Sequence, residues 1–96
     1  MQYLWLLNKE FDYLIDLFES TINKTKEMKE ETEIVKKVKR FDYEPKLYLG
    51  EQITTGGNYY YIAEATNIET GIKNIQLVVI NDLIDGSKVM EVENIL

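Results

Sequence analysis

A chain of 96 residues is enough for one domain, and a domain of that size buries only about two-thirds of its unfolded surface. Its 45% apolar and 29% charged residues are ordinary for a globular fold, which excludes wholesale disorder. There is no Cys and no His, so thiol nucleophiles, disulfides, Cys/His zinc sites and imidazole-based triads are excluded. The net charge of −6 disfavours direct nucleic-acid binding, because phosphates are repelled.

The first segment, Met1-Gln2-Tyr3-Leu4-Trp5-Leu6-Leu7, is apolar but too short to span a bilayer. It has no basic residues ahead of it, so it does not read as a signal peptide. No membrane association is expected. Lack of Cys suits the cytoplasm, since disulfides serve oxidising compartments.

Residues 1–44 read as the helical half of a single domain covering 1–96. Leu4, Leu7, Phe11, Leu14 and Phe18 step by three and four, an apolar stripe along one helix face. Ile15, Leu17 and Ile22 widen the stripe, and Trp5 lies outside it. The register continues weakly through Thr21, Thr25, Met28, Thr32 and Val35. Either one helix runs to about residue 39 or two helices meet, with the break expected at Thr21–Thr25, because such residues favour caps over helix interiors. Glu27, Glu30, Glu31 and Glu33 precede Lys36, Lys37, Lys39 and Arg40. That order suits the helix dipole and reads as a solvated helix face. Pro45 is expected to close the helical half, with extended backbone before it.

Residues 45–96 read as four strands. They are Lys46–Gln52, Tyr59–Thr66, Lys73–Ile80 and Val89–Ile95. Thr54–Asn58, Asn67–Gly71 and Asn81–Lys88 are the turns between them. Three short turns imply an antiparallel meander. The fold class is therefore α+β, with one or two N-terminal helices packed on a four-stranded antiparallel meander. Period two places Leu47, Leu49, Tyr59, Tyr61, Ala63, Ala65, Ile75, Leu77, Val79, Met90 and Val92 on the face that takes the helix. The opposite face would hold Tyr48, Tyr60, Ile62, Glu64, Gln76, Val78, Ile80, Glu91 and Glu93. A fully solvated face should be more polar than this. A curled sheet, a covering segment at 24–44 or a partner surface would each explain it.

The motifs that suggest chemistry fail on inspection. Gly56-Gly57 has no Lys-Ser/Thr pair after it, so it is no phosphate loop. With Gly86 at the sixth position of a calcium loop, Leu83 and Val92 fall where ligands are required. Glu64, Glu91 and Glu93 are carboxylates without a cleft or metal motif. The chain is not expected to be an enzyme, and no cofactor or metal is implied. Seven tyrosines, including Tyr59-Tyr60-Tyr61, fit strands, and they also suit interfaces, where a large ring is buried and a polar tip stays wet.

In size, acidity, absence of Cys and a layout of helix followed by hairpins, the chain resembles the small acidic inhibitor proteins of phages and mobile elements, anti-CRISPR proteins among them. The resemblance implies a protein-binding module that occupies a basic site on a host nucleic-acid-processing enzyme. Glu64, Glu91, Glu93, Asp82 and Asp85 would then stand in for phosphates. The binding face expected is Tyr48, Tyr60, Ile62, Glu64, Glu91 and Glu93. Two other readings remain open. The helical stripe could pair with its own copy in a homodimeric structural or regulatory subunit, or aromatics between strands could hold a small ligand.

Overall fold

A computed structural model describes the backbone of residues 8–54, 56–82 and 88–95. Leu4, Trp5, Leu7, the Phe11 side chain and the Asp85-Gly86 turn tip lie outside the described residues. Two helices precede a four-stranded antiparallel sheet in the order β1-β2-β3-β4. This is the α+β meander that the sequence predicts.

Helix α1 (Asn8–Glu27) is amphipathic. Leu17, Phe18 and Ile22 are buried, with Leu14 packed beside them, while Asp12, Asp16, Glu19 and Asn23 stay exposed. The helix runs straight through Thr21 and Thr25, so the break expected there is corrected. Both threonines are buried, and each hydroxyl donates to a carbonyl one turn back: Thr21 to Leu17 at 2.7 Å and Thr25 to Thr21 at 2.8 Å. These bonds satisfy the hydroxyls inside the helix and remove the reason to cap there. The chain instead leaves the helix after Glu27 and restarts as α2 (Glu33–Lys39). Thr32 caps α2 by accepting a hydrogen bond from the Val35 N–H at 3.4 Å. Glu33 in the first turn and Lys36, Lys37 and Lys39 in the last complement the helix dipole.

Strand β1 (Phe41–Thr54) begins earlier than the expected Lys46, and Pro45 lies within it rather than closing the helical half. Among the described strands β1 is an edge, with β2 (Gly56–Asn67) as its one neighbour. An edge tolerates a residue without an N–H. The pairing shifts register between Pro45 and Leu47 and again between Tyr48 and Gly50, two irregularities that blunt this edge against further strands. Gly50 takes a φ of 136° at the second shift, a conformation that a side chain disfavours.

The β2–β3 hairpin closes as the sequence predicts. Asn67 Oδ1 accepts from the Glu69 and Thr70 N–H groups at 2.9 and 3.0 Å. Gly71, at φ 76°, donates its N–H to the Asn67 carbonyl at 2.8 Å. β3 (Lys73–Asp82) then pairs with β4 (Lys88–Asn94). The Ile95 N–H bonds inward to the Ile75 carbonyl at 2.9 Å, so the Val92 carbonyl points away from β3. Lys37 of α2 reaches it at 3.5 Å.

The phase of β3 differs from expectation. The hairpin pairs Thr66 with Lys73, so odd residues of β2 lie opposite even residues of β3. Directly opposite residues share a face. Gln76, Val78 and Ile80 are therefore buried under the helices with Tyr61, Ala63, Ala65, Met90 and Val92. Ile75, Leu77 and Val79 lie on the other side, only half-buried. Leu47 pairs with Ile62 and joins them there. Leu49 is 48% exposed.

Tyr43, Tyr48, Tyr59 and Tyr61 line the covered side. The Tyr61 ring meets Phe18 at 4.9 Å and Tyr48 at 5.2 Å between centroids, tilted by 59° and 58°, and its hydroxyl donates to the Leu14 carbonyl at 2.8 Å. The buried hydroxyls of Tyr43 and Tyr48 have no hydrogen-bond partner among the described residues. A buried bond contributes about 1 kcal/mol, whereas a buried hydroxyl without a partner costs about 1–3 kcal/mol. Tyr61→Phe should therefore destabilise by about 1 kcal/mol, while Tyr48→Phe should be neutral or stabilising. Urea denaturation of both variants checks the ordering, and a reversed order would contradict it.

Burial also raises the pKa of Tyr43, Tyr48 and Tyr61, with Tyr48 pushed up to about 12 by burial first and by Glu51 and Tyr59 second. Unfolded tyrosine titrates near pH ~10. The neutral form is thus favoured by folding, so stability is fully present below pH ~10 and falls as pH rises through about 12. Thermal melts between pH ~8 and ~12 should show a plateau and then a fall, alongside late tyrosinate absorbance. A melting temperature flat across that window would contradict the linkage.

Candidate protein-binding face

Helices cover one side of the sheet, and among the described residues no helix lies over the other. The alternation of strand side chains builds that open side from cross-strand rows. Glu44 lies opposite Glu64 and Glu64 opposite Ile75, with Ile95 beyond. Leu47, Ile62, Leu77 and Glu93 form the next row. Gly50, Tyr60, Val79 and Glu91 form the third. The middle of the face is therefore apolar, and carboxylates stand at its margins. Val89 and Ile95 extend it at the β4 margin, at 45% and 44% exposed.

The margins are chemically unequal. Lys46 Nζ contacts Glu44 Oε1 at 3.1 Å, and Lys73 Nζ contacts Glu64 Oε1 at 3.3 Å. The Glu44 hydrogen bond and charge, with Glu64 further away, raise the pKa of Lys46. At the β4 side, Glu91 and Glu93 are exposed, and their carboxylates make no ion pair or hydrogen bond with the described residues. Beside them Leu77, Val79, Glu91, Val92 and Glu93 line a shallow dent of about 260 Å³. Tyr60 donates its hydroxyl to Gln52 Oε1 at 3.2 Å, which pins the ring on the face.

Of the six residues expected to form the binding face, five come together here: Tyr60, Ile62, Glu64, Glu91 and Glu93. Tyr48 does not. It sits on the covered side, packed against the core with its ring tilted against Tyr61, because it lies between the two irregularities in β1 that shift its phase. Gln76, Val78 and Ile80 are likewise removed to the core. Sequence reasoning missed Leu47, Ile75, Leu77 and Val79 as members of this face. The closing pair Thr66↔Lys73 is the signal that would have found the three on β3, whereas Leu47 arrives through the register shift after Pro45.

Among the described residues no group of three or more carboxylates is arranged to hold a metal ion, and no helix is long and apolar enough to cross a membrane. No protein-family model, no curated protein and no solved structure matches the chain.

Proposed function

We propose that this chain is a small protein-binding module that works through the open face of its sheet. The observation that carries the reading is that face itself: a half-buried apolar centre of Leu47, Tyr60, Ile62, Leu77 and Val79 with carboxylates at its rim. Single exposed apolar side chains are normal, but a contiguous patch with a polar border marks an interaction site. An apolar centre calls for a protein rather than for nucleic acid, and an acidic rim selects a basic partner. Nucleic-acid-processing enzymes carry basic surfaces for phosphate. Blocking such an enzyme in the cytoplasm, as the acidic phage inhibitors of anti-CRISPR type do, is the function we favour. Face-to-face pairing of two copies is disfavoured, because both rims are acidic.

Affinity capture from host lysate at low and high salt, with wild type and Ile62→Asp, tests this. A basic enzyme held by wild type, released by salt and lost with the variant is the expected result. Retention of the same proteins by Ile62→Asp would overturn the reading, as would a wild-type dimer that the substitution dissolves.

A further inference from the structure

We infer that the dent between Leu77, Val79, Glu91 and Glu93 receives one arginine side chain of the partner; this rests on the reading of the open face as a protein-binding surface. Leu77 lies opposite Glu93 and Val79 opposite Glu91, so each carboxylate stands at the outer wall of an apolar floor. A long basic side chain needs both parts: an apolar surface for its methylene stem and an acceptor for its head. Glu91 and Glu93 are two residues apart on one strand, so their Cα atoms are about 6.8 Å apart on the same face. A planar guanidinium donates from two edges and can address both carboxylates, whereas a compact ammonium engages one.

The rest of the rim sharpens the choice. Glu44 and Glu64 are already engaged by Lys46 and Lys73. Glu91 and Glu93 have no such counter-ion among the described residues, although the chain carries eleven basic residues. Among the described carboxylates that rim this face, Glu91 and Glu93 are therefore the two left without an ion pair, and the Lys37 ammonium bonds the Val92 carbonyl between them instead. The partner segment that fits is one that presents an arginine flanked by apolar side chains. Those side chains would cover Ile62, Tyr60 and Leu47.

The test is an amide-shift titration of the full chain with blocked Leu-Arg-Leu peptide, its uncharged citrulline isostere and its lysine counterpart. The expected result is saturable shifts at Leu77, Val79, Glu91 and Glu93, with arginine binding about fivefold tighter than citrulline. That preference should vanish in the Glu91→Gln/Glu93→Gln double variant and survive in Glu44→Gln/Glu64→Gln. Equal binding of arginine and citrulline peptides, or of arginine and lysine peptides, overturns the arginine site. So does the absence of saturable shifts in the dent. The broader reading is judged separately by capture with Ile62→Asp: partner loss there, with equal peptide affinities here, leaves the face standing and removes only the arginine site.

Discussion

Val78→Lys should leave the chain largely unfolded, whereas Leu77→Lys, one position along the same strand, should fold and lose its partner. Val78 is 0% exposed and sits in the core cluster with Phe18, Tyr61, Ile80 and Val92. Opposite it lie Tyr61 on β2 and Val92 on β4, so an ammonium placed there is buried with no carboxylate beside it. Burying an unpaired charge costs several kcal/mol even after relaxation, on the order of the ~5–15 kcal/mol that stabilises a whole domain. Leu77 points the other way. Its neighbours are Ile62 and Glu93, and a lysine there keeps its head in water beside a carboxylate. The stability change should stay within about 1–2 kcal/mol. The same lysine fills the dent and cancels the charge that attracts a basic partner. Far-ultraviolet circular dichroism and urea denaturation read the folding half, and affinity capture reads the other. Unfolding of Leu77→Lys with folding of Val78→Lys would mean that β3 has the opposite phase, and equal midpoints would contradict the contrast between the two faces.

That contrast also shows where the sequence was legible. The class of fold, the number and order of the strands and the Asn67–Gly71 hairpin followed from turn chemistry and period two. The phase of β3 did not, because Lys73–Asp82 is apolar at both parities. Ile75, Leu77 and Val79 compete with Val78 and Ile80, and counting apolar residues favours the wrong set. Only the closing pair of the hairpin decides it. The two buried threonines of α1 misled for a different reason: propensity says cap, but a hydroxyl bonded to the preceding turn is satisfied in mid-helix. Pro45 misled because its missing N–H matters only where a ladder bond is needed, and β1 is an edge. Glu64, Glu91 and Glu93 were placed correctly on the open face because β2 and β4 do alternate cleanly. Tyr48 was misplaced because β1 breaks its alternation twice, which composition does not announce.

Phe18→Ala should cost about 3–5 kcal/mol, the range for removing a buried aromatic side chain and leaving a cavity. Phe18 is 0% exposed and its ring meets Tyr61 at 4.9 Å in a tilted pair. It steps down from Leu14 along the stripe that docks α1 on the sheet. Ala63 lies close by with no bulk of its own, so the neighbours cannot collapse far into the space left behind. Part of the loss is the ring pairing itself, worth about 0.5–1.5 kcal/mol beyond area. Tyr61 also loses the neighbour that helps hold its hydroxyl on the Leu14 carbonyl. The control is Tyr13→Ala on the same helix, where the ring is 56% exposed and the change should stay within about 0.5 kcal/mol. Urea midpoints at unchanged m-value measure both. A Phe18→Ala loss as small as the control would show that α1 does not anchor the sheet, and the covered and open faces would then lose their distinction.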